Sequence, residues 1–363
     1  MRAALFILFA TSLLLGQEEA EDWTKRGKAD YSKGAYAAAQ ASFAVAWKAV
    51  AETPAKEPKR YEILKLQAAA AAALGQYSES EGFLQLAINW REVALGREDA
   101  GIAADLTEVA MLCRAVKDLE RGLAVLQRVA SMHSRSEADR ALLADDYSRI
   151  AQFYQDLEKF EDVVASVKLA IEIREKLVGL DHPALLGELD RMAAALVKLT
   201  QYDQAVPFYL RALVIRERLL GKESADLIPN IDGLAFAYFG LRQYKEAEPV
   251  YLRLLELWKK AFSEEHPMVA MTLDKLVVFY REQNKNEQAH EFEAEAIVVR
   301  ESFLAGGLMR EADALAKRGK RTEAAPLYER ALAVLKPHGE EHEAMRKDIE
   351  KRAAALKRPG SGK

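Results

Sequence analysis

The chain has 363 residues, half of them hydrophobic and 30% charged, with a formal net charge of -4. This composition is too apolar for a disordered chain, and its balance of charge supplies no basic field to recruit nucleic acid or an anionic membrane. One cysteine, Cys113, excludes an internal disulfide.

The first element is "MRAALFILFATSLLLGQEEAED". Arg2 precedes an apolar run from Ala3 to Leu15, and an acidic stretch follows. The run is shorter than the roughly 20 residues that a membrane-spanning helix needs. The pattern is that of a secretory signal peptide over residues 1–16, with Gly16 at the cleavage point. Cleavage predicts an exported, periplasmic or secreted chain with no stable membrane span. The alternative is an uncleaved N-terminal helix on a cytoplasmic regulatory or enzyme-associated adaptor.

The rest of the chain repeats itself. The block His182–Glu223 lies over Ser224–Glu265 without a gap, so that "QYDQAVPFYLRAL" covers "QYKEAEPVYLRLL". A third block opens at His266. A small residue recurs at Ala39, Ser80, Gly122, Val163, Ala205, Ala247, Ala289 and Ala324, at spacings of 41, 42, 41, 42, 42, 42 and 35. Such a period marks an array of stacked units.

Within each unit, apolar residues recur at helical spacing in two runs. One copy has Ile231, Leu234, Ala235 and Tyr238, then Ala247, Val250, Tyr251, Leu254 and Leu255. The unit is therefore two antiparallel helices, broken in this copy by "GLRQ". The small residue admits close approach of the pair, and Tyr251, Tyr209, Tyr328 and Phe43 fill the space beside it. Pro207, Pro249 and Pro326 recur two residues after the small residue, where a helix start tolerates proline. His182-Pro183 and His266-Pro267 predict starts of first helices, with proline near the first helical position.

Trp23, Gly27, Ala39, Phe43 and Ala46 resemble the spaced consensus of the tetratricopeptide repeat. The longer units with "HP", "QYKEAEPVYLRLL" and "EAAPLYERAL" are similar to the variant found in kinesin light chains. The resemblance implies an all-α fold: a right-handed α-solenoid superhelix of about eight hairpins over residues 17–336. A charged capping helix over 337–357 and a flexible tail over 358–363 complete the chain. The paired asparagines usual in kinesin-type repeats are here Thr107-Glu108, Ser148-Arg149, Asp190-Arg191, Asp232-Gly233 and Asp274-Lys275.

In repeats of this kind the inward positions of the first helix contact extended peptides. Three columns follow from the register. One runs Thr107, Ser148, Asp190, Asp232, Asp274; the next Met111, Gln152, Ala194, Phe236, Val278; the last Arg114, Gln155, Val197, Phe239, Arg281. The candidate groove residues are Gln152, Gln155, Asp190, Asp232, Phe236, Phe239, Asp274 and Arg281. Phe236 and Phe239, three apart on a helix, predict an aromatic patch. Carboxylates beside aromatics suit a protein or peptide segment with basic and apolar side chains; the bland alternative is that the aspartates pair with Arg191 and Lys275.

Catalytic chemistry finds no candidates of weight. His338 and His342 in "HGEEH" lack the glutamate of a zinc-protease motif. "PGSGK" lacks the first glycine and the strand of a phosphate loop. Cys113 falls on a packed helix face. Lys65 stands alone, without the asparagine that a carboxylate clamp requires. The expectation is a non-enzymatic scaffold with no cofactor, no metal and no nucleic-acid partner.

Overall fold

A computed structural model describes residues 18–51, 57–97, 99–335 and 342–357. The expected signal peptide at 1–16, the 358–363 tail and His338 lie outside these residues. Among the described residues all regular structure is helical, and the chain divides into two compact units, 1–180 and 181–363.

The first unit contains α1 (18–32), α2 (Tyr36–Val50), α3 (Pro58–Ala73), α4 (Tyr77–Ala94), α5 (Gly101–Ala115), α6 (Leu119–His133), α7 (Arg140–Asp156) and α8 (Phe160–Val178). The second contains α9 (Leu186–Lys198), α10 (Tyr202–Leu220), α11 (Ile228–Gly240), α12 (Tyr244–Ala261), α13 (Pro267–Glu282), α14 (Asn286–Lys317), α15 (Arg321–Val334) and α16 (Glu343–Lys357). Up to α14 each odd helix pairs with the even helix after it as a hairpin, and α15 pairs with the C-terminal half of α14. Each small residue of the period sits at the fourth position of a second helix, and all are buried. Tyr209, Tyr251, Tyr328 and Phe43 are buried beside them.

The hairpin turn is the most regular feature of the chain. Five residues before each small residue the backbone takes positive φ, at Gly34, Gly75, Lys117, Glu158, Thr200, Arg242, Asn284 and Gly319. The next amide then reaches back five residues: Asp118 N–H donates to Cys113 O at 2.8 Å, and Gln243 N–H to Tyr238 O at 2.9 Å. This is a Schellman closure, which satisfies carbonyls that the helix end would otherwise leave unpaired. Five of the eight turns use a residue other than glycine, and Thr200 is β-branched. The glycine visible in "GLRQ" has another job. Gly240 ends α11, where a Cβ would lie 2.6 Å from the Tyr202 ring, while Arg242 makes the turn.

The histidine-proline starts behave as the sequence predicts. His182 Nδ1 accepts from Ala184 N–H at 3.2 Å, and His266 Nδ1 from Met268 N–H at 3.3 Å. The recurring prolines need a correction. Pro207, Pro249 and Pro326 are the sixth residues of α10, α12 and α15. That is beyond the free amides of the first turn, so each removes one helical bond, to Asp203, Lys245 or Thr322. Pro249 and Lys245 are both exposed, so water can take the freed carbonyl.

The short last spacing of 35 also has a structural cause. The seventh and eighth hairpins are not separate: α14 runs unbroken for 32 residues and supplies both the second helix of one and the first of the next. Where Gly179 and Gly221 stop α8 and α10 with positive φ, the equivalent residue is Ala305, and the helix continues through Gly306 and Gly307. The C-terminal half of α14 packs Ala305, Leu308 and Ala312 against Tyr328, Ala331 and Leu335 of α15 and its C-cap, and Ile349 of α16. Residues 343–357 thus form the capping helix expected from sequence.

Replacing Thr200 by glycine removes the cost of left-handed geometry at a β-branched residue, less the entropy that glycine adds to the unfolded chain. We expect stabilisation of about 1 kcal/mol, read as a raised urea midpoint at constant slope; an unchanged or lowered midpoint contradicts it.

Candidate protein-binding site

A second column of the repeat governs the charged groups. The fifteenth residue of successive second helices is Arg91, His133, Arg174, Arg216, Trp258 and Arg300. The basic members reach acids on first helices. Within the first unit, Arg91 Nε lies 3.0 Å from Asp105, His133 Nδ1 2.6 Å from Asp146, and Arg174 2.5 Å from Asp145. Asp105 and Asp146 are almost wholly buried, so these contacts carry the desolvation of a carboxylate. Within the second unit, Arg216 grips Asp190 with two hydrogen bonds and also contacts Asn230. Arg300 pairs with Asp274.

The sixth hairpin breaks the column. Trp258 stands where the arginine would be, and its ring leans on Phe262 and stacks with His266 (centroids 5.1 and 5.7 Å). Asp232 therefore pairs across to Lys275 on α13, the first helix of the following hairpin. A second departure adjoins it. Gly233 occupies the position of Arg149, Arg191 and Lys275 in other copies. A Cβ there would lie 2.4 Å from the Tyr209 ring.

Asp232 and Gly233 open onto a recess of about 450 Å³, lined also by Phe236 and Phe239 of α11, Tyr251 of α12, and Asp274, Lys275 and Val278 of α13. Its walls are apolar and its rim is ionic. Phe236 is 45% exposed and leans edge-on against Tyr202, with centroids 5.9 Å apart. Val278 is 52% exposed. Phe239 is half-buried and leans on Tyr244 and Phe279, each at 6.2 Å. Two phenols flank Asp232. Burial, then the charges of Asp190 and Asp232, push Tyr209 up to about 12; burial and Asp232 push Tyr251 up as well. Both remain neutral at physiological pH.

The expected groove residues separate into groups. Asp232, Phe236, Phe239 and Asp274 come together in the recess. Asp190 is occupied by Arg216 and by the Asn230 amide at 2.7 Å. Arg281 pairs with Glu293 at 2.8 Å, and is absent from the lining. Gln152 and Gln155 lie on α7 in the first unit. The acidic row is thus not a free anionic surface: Asp190, Asp232 and Asp274 all hold cations of this chain. Arg191 is not the cation that does so in the pairs above; Arg216, Lys275 and Arg300 are. Sequence reading overlooked Gly233 and Lys275 as lining residues and Trp258 as the break in the cation column. The signal was a glycine and a tryptophan at positions that are basic in neighbouring copies.

Other candidates are accounted for by packing. Cys113 is buried, and burial pushes its thiol up, away from a reactive thiolate. His342 is buried with Nε2 3.3 Å from Val298 O. Lys65 is held by Asp105 and Glu108 at 2.9 and 2.5 Å. Among the described residues no group of three His, Cys, Asp or Glu side chains could hold a metal ion, and no helix is long and apolar enough to cross a membrane.

Gly233→Ala forces the Tyr209 ring to move. A destabilisation of about 1–3 kcal/mol is expected, measured by urea unfolding. Wild-type stability in this variant would show that the glycine is not needed for the approach of α10 to α11.

Two family models, each described as tetratricopeptide repeat, match residues 227–302 and residues 147–184 and 189–226. A search of curated proteins finds no match. Among solved structures, BtubC from P. vanneervenii is 17% identical, covering 62% of this chain and 89% of its own, with a TM-score of 0.49. A kinesin light chain with nearly identical repeats from Podosopora anserina is 19% identical, covering 57% and 99%, with a TM-score of 0.47. A tetratricopeptide repeat protein from Parabacteroides merdae is 16% identical, covering 81% and 98%, with a TM-score of 0.46. Tetratricopeptide-repeat models thus match residues 147–184, 189–226 and 227–302, and the same helix-turn register extends from Ala39 to Ala324.

Proposed function

We propose that the chain is a non-enzymatic scaffold that binds a protein or peptide segment in the recess between α11 and α13. The observation that carries this reading is the pair of exposed apolar side chains, Phe236 and Val278, over an apolar floor. Each is about half exposed, so a partner that covers it recovers about half of the roughly 1.5–3 kcal/mol that full burial of a large apolar side chain gives. The recess has the volume of a site for a few side chains rather than a flat surface. Ion pairs on its rim suit a segment with both apolar and basic groups. With the N-terminal pattern of residues 1–16, the scaffold works after export.

Phe236 is the clean probe. Phe239 also packs against Tyr244 and Phe279, so its removal disturbs the joint between hairpins. Phe236→Ala should lower recovery of a captured partner by about tenfold, the usual effect of losing a buried aromatic anchor, with helicity and unfolding midpoint close to wild type. Val214→Ala, at an exposed position on α10, serves as control and should leave capture unchanged. Partners retained at wild-type level by Phe236→Ala refute the site.

Export is tested by N-terminal sequencing of the protein from fractionated cells. A start near Gln17 in the exported fraction is expected; an intact Met1 in the cytosol overturns it.

A further inference from the structure

The broken cation column specifies what the recess takes. In the fifth and seventh hairpins the first-helix aspartate is held by the arginine of its own second helix, Asp190 by Arg216 and Asp274 by Arg300. In the sixth, Trp258 removes that arginine, and its ring is turned to Phe262 and His266. Asp232 keeps only a lysine contact from the next hairpin, between side chains that are 39% and 41% exposed. An exposed lysine-carboxylate pair contributes little. A guanidinium matches a carboxylate through two parallel hydrogen bonds and is more weakly hydrated than an ammonium.

We infer that the ligand supplies the arginine that the sixth hairpin lacks: an extended protein segment whose guanidinium takes Asp232 from Lys275, with a neighbouring aliphatic or aromatic side chain seated between Phe236 and Val278. This rests on the recess being the binding site, and it adds which residue of the recess selects and for what. Asp190 and Asp274 play no such part, since each already holds its arginine. The released Lys275 ammonium, on a side chain already 39% exposed, turns to solvent, since Asp274 is held by Arg300. The exchange leaves the recess one positive charge richer than before.

The test uses the full-length protein and a positional-scanning set of short synthetic peptides. Each carries one fixed leucine or phenylalanine and, at every other position in turn, arginine, lysine, citrulline or glutamate. Citrulline keeps the shape of arginine without its charge. The wild-type protein should prefer arginine to citrulline at one spacing by about tenfold or more, as for a hydrogen bond to a charged group, with lysine between them. Asp232→Asn should bring that ratio to one while the leucine or phenylalanine requirement persists. Trp258→Arg, which restores the column arginine, should do the same. Lys275→Gln removes the competitor and should tighten arginine peptides by roughly two- to fivefold. Helicity of each variant is checked by circular dichroism, and Asp232→Asn preserves shape if Trp258→Arg fails to fold. Equal binding of arginine and citrulline peptides to wild type, or an unchanged ratio in Asp232→Asn, overturns the assignment while leaving the recess as a site. Failure of every peptide in the set to bind overturns both.

Discussion

The structure depends on one close approach, repeated. At the fourth position of each second helix the side chain is small enough for the first helix to press against the backbone, and a left-handed turn residue five places earlier brings the two helices into line. Neither element suffices alone. A small residue without the turn has nothing to receive, and the turn without the small residue would press a large side chain into the facing helix. Hydrophobic burial supplies the energy, but it is non-directional. The turn and the small residue choose which of many compact arrangements receives that energy. This is why the register tolerates glycine, serine, alanine and valine at the small position, and five different non-glycine residues at the turn.

Most of the architecture is legible in the sequence because it is written many times. The small-residue spacing places the second helices, and the histidine-proline pairs mark the starts of two first-helix segments. Much of what escaped reading occurred only once. The fusion that makes α14 appears in the sequence only as a spacing of 35, and nothing local announces it, since Gly306 and Gly307 suggest a break where the helix continues. Packing of Ala305, Leu308 and Ala312 against α15 and α16 decides the matter, and that is tertiary information. The prolines were placed at the right point along the helix but credited with a free amide that their sixth position does not have.

The site shows the same division. The inward columns put Asp232, Phe236, Phe239 and Asp274 in one place from spacing alone, because helical geometry fixes which side chains share a face. Spacing could not show how the aspartates are occupied. That depends on a column fifteen residues into the second helix, whose arginines fold across to the first. The sequence contains the needed contrast, tryptophan among arginines and glycine among basic residues, but its meaning requires knowing that the two columns meet. Repeat proteins reward reading by difference: the consensus builds the scaffold, and departures from it mark places where a copy does something of its own.

The continuous α14 has a mechanical consequence. In a chain of hairpins, compliance resides in the loops between them, where a few torsions can bend one unit against the next, and unfolding can halt at each boundary. The seventh and eighth hairpins share a helix and have no such boundary. They should bend as one beam and melt as one cooperative block, so that α13, the far wall of the recess, is backed by a stiff rod anchored through Tyr328 and Ile349. Loading or damage at the C-terminal end is then transmitted to that wall instead of being absorbed by an intervening joint.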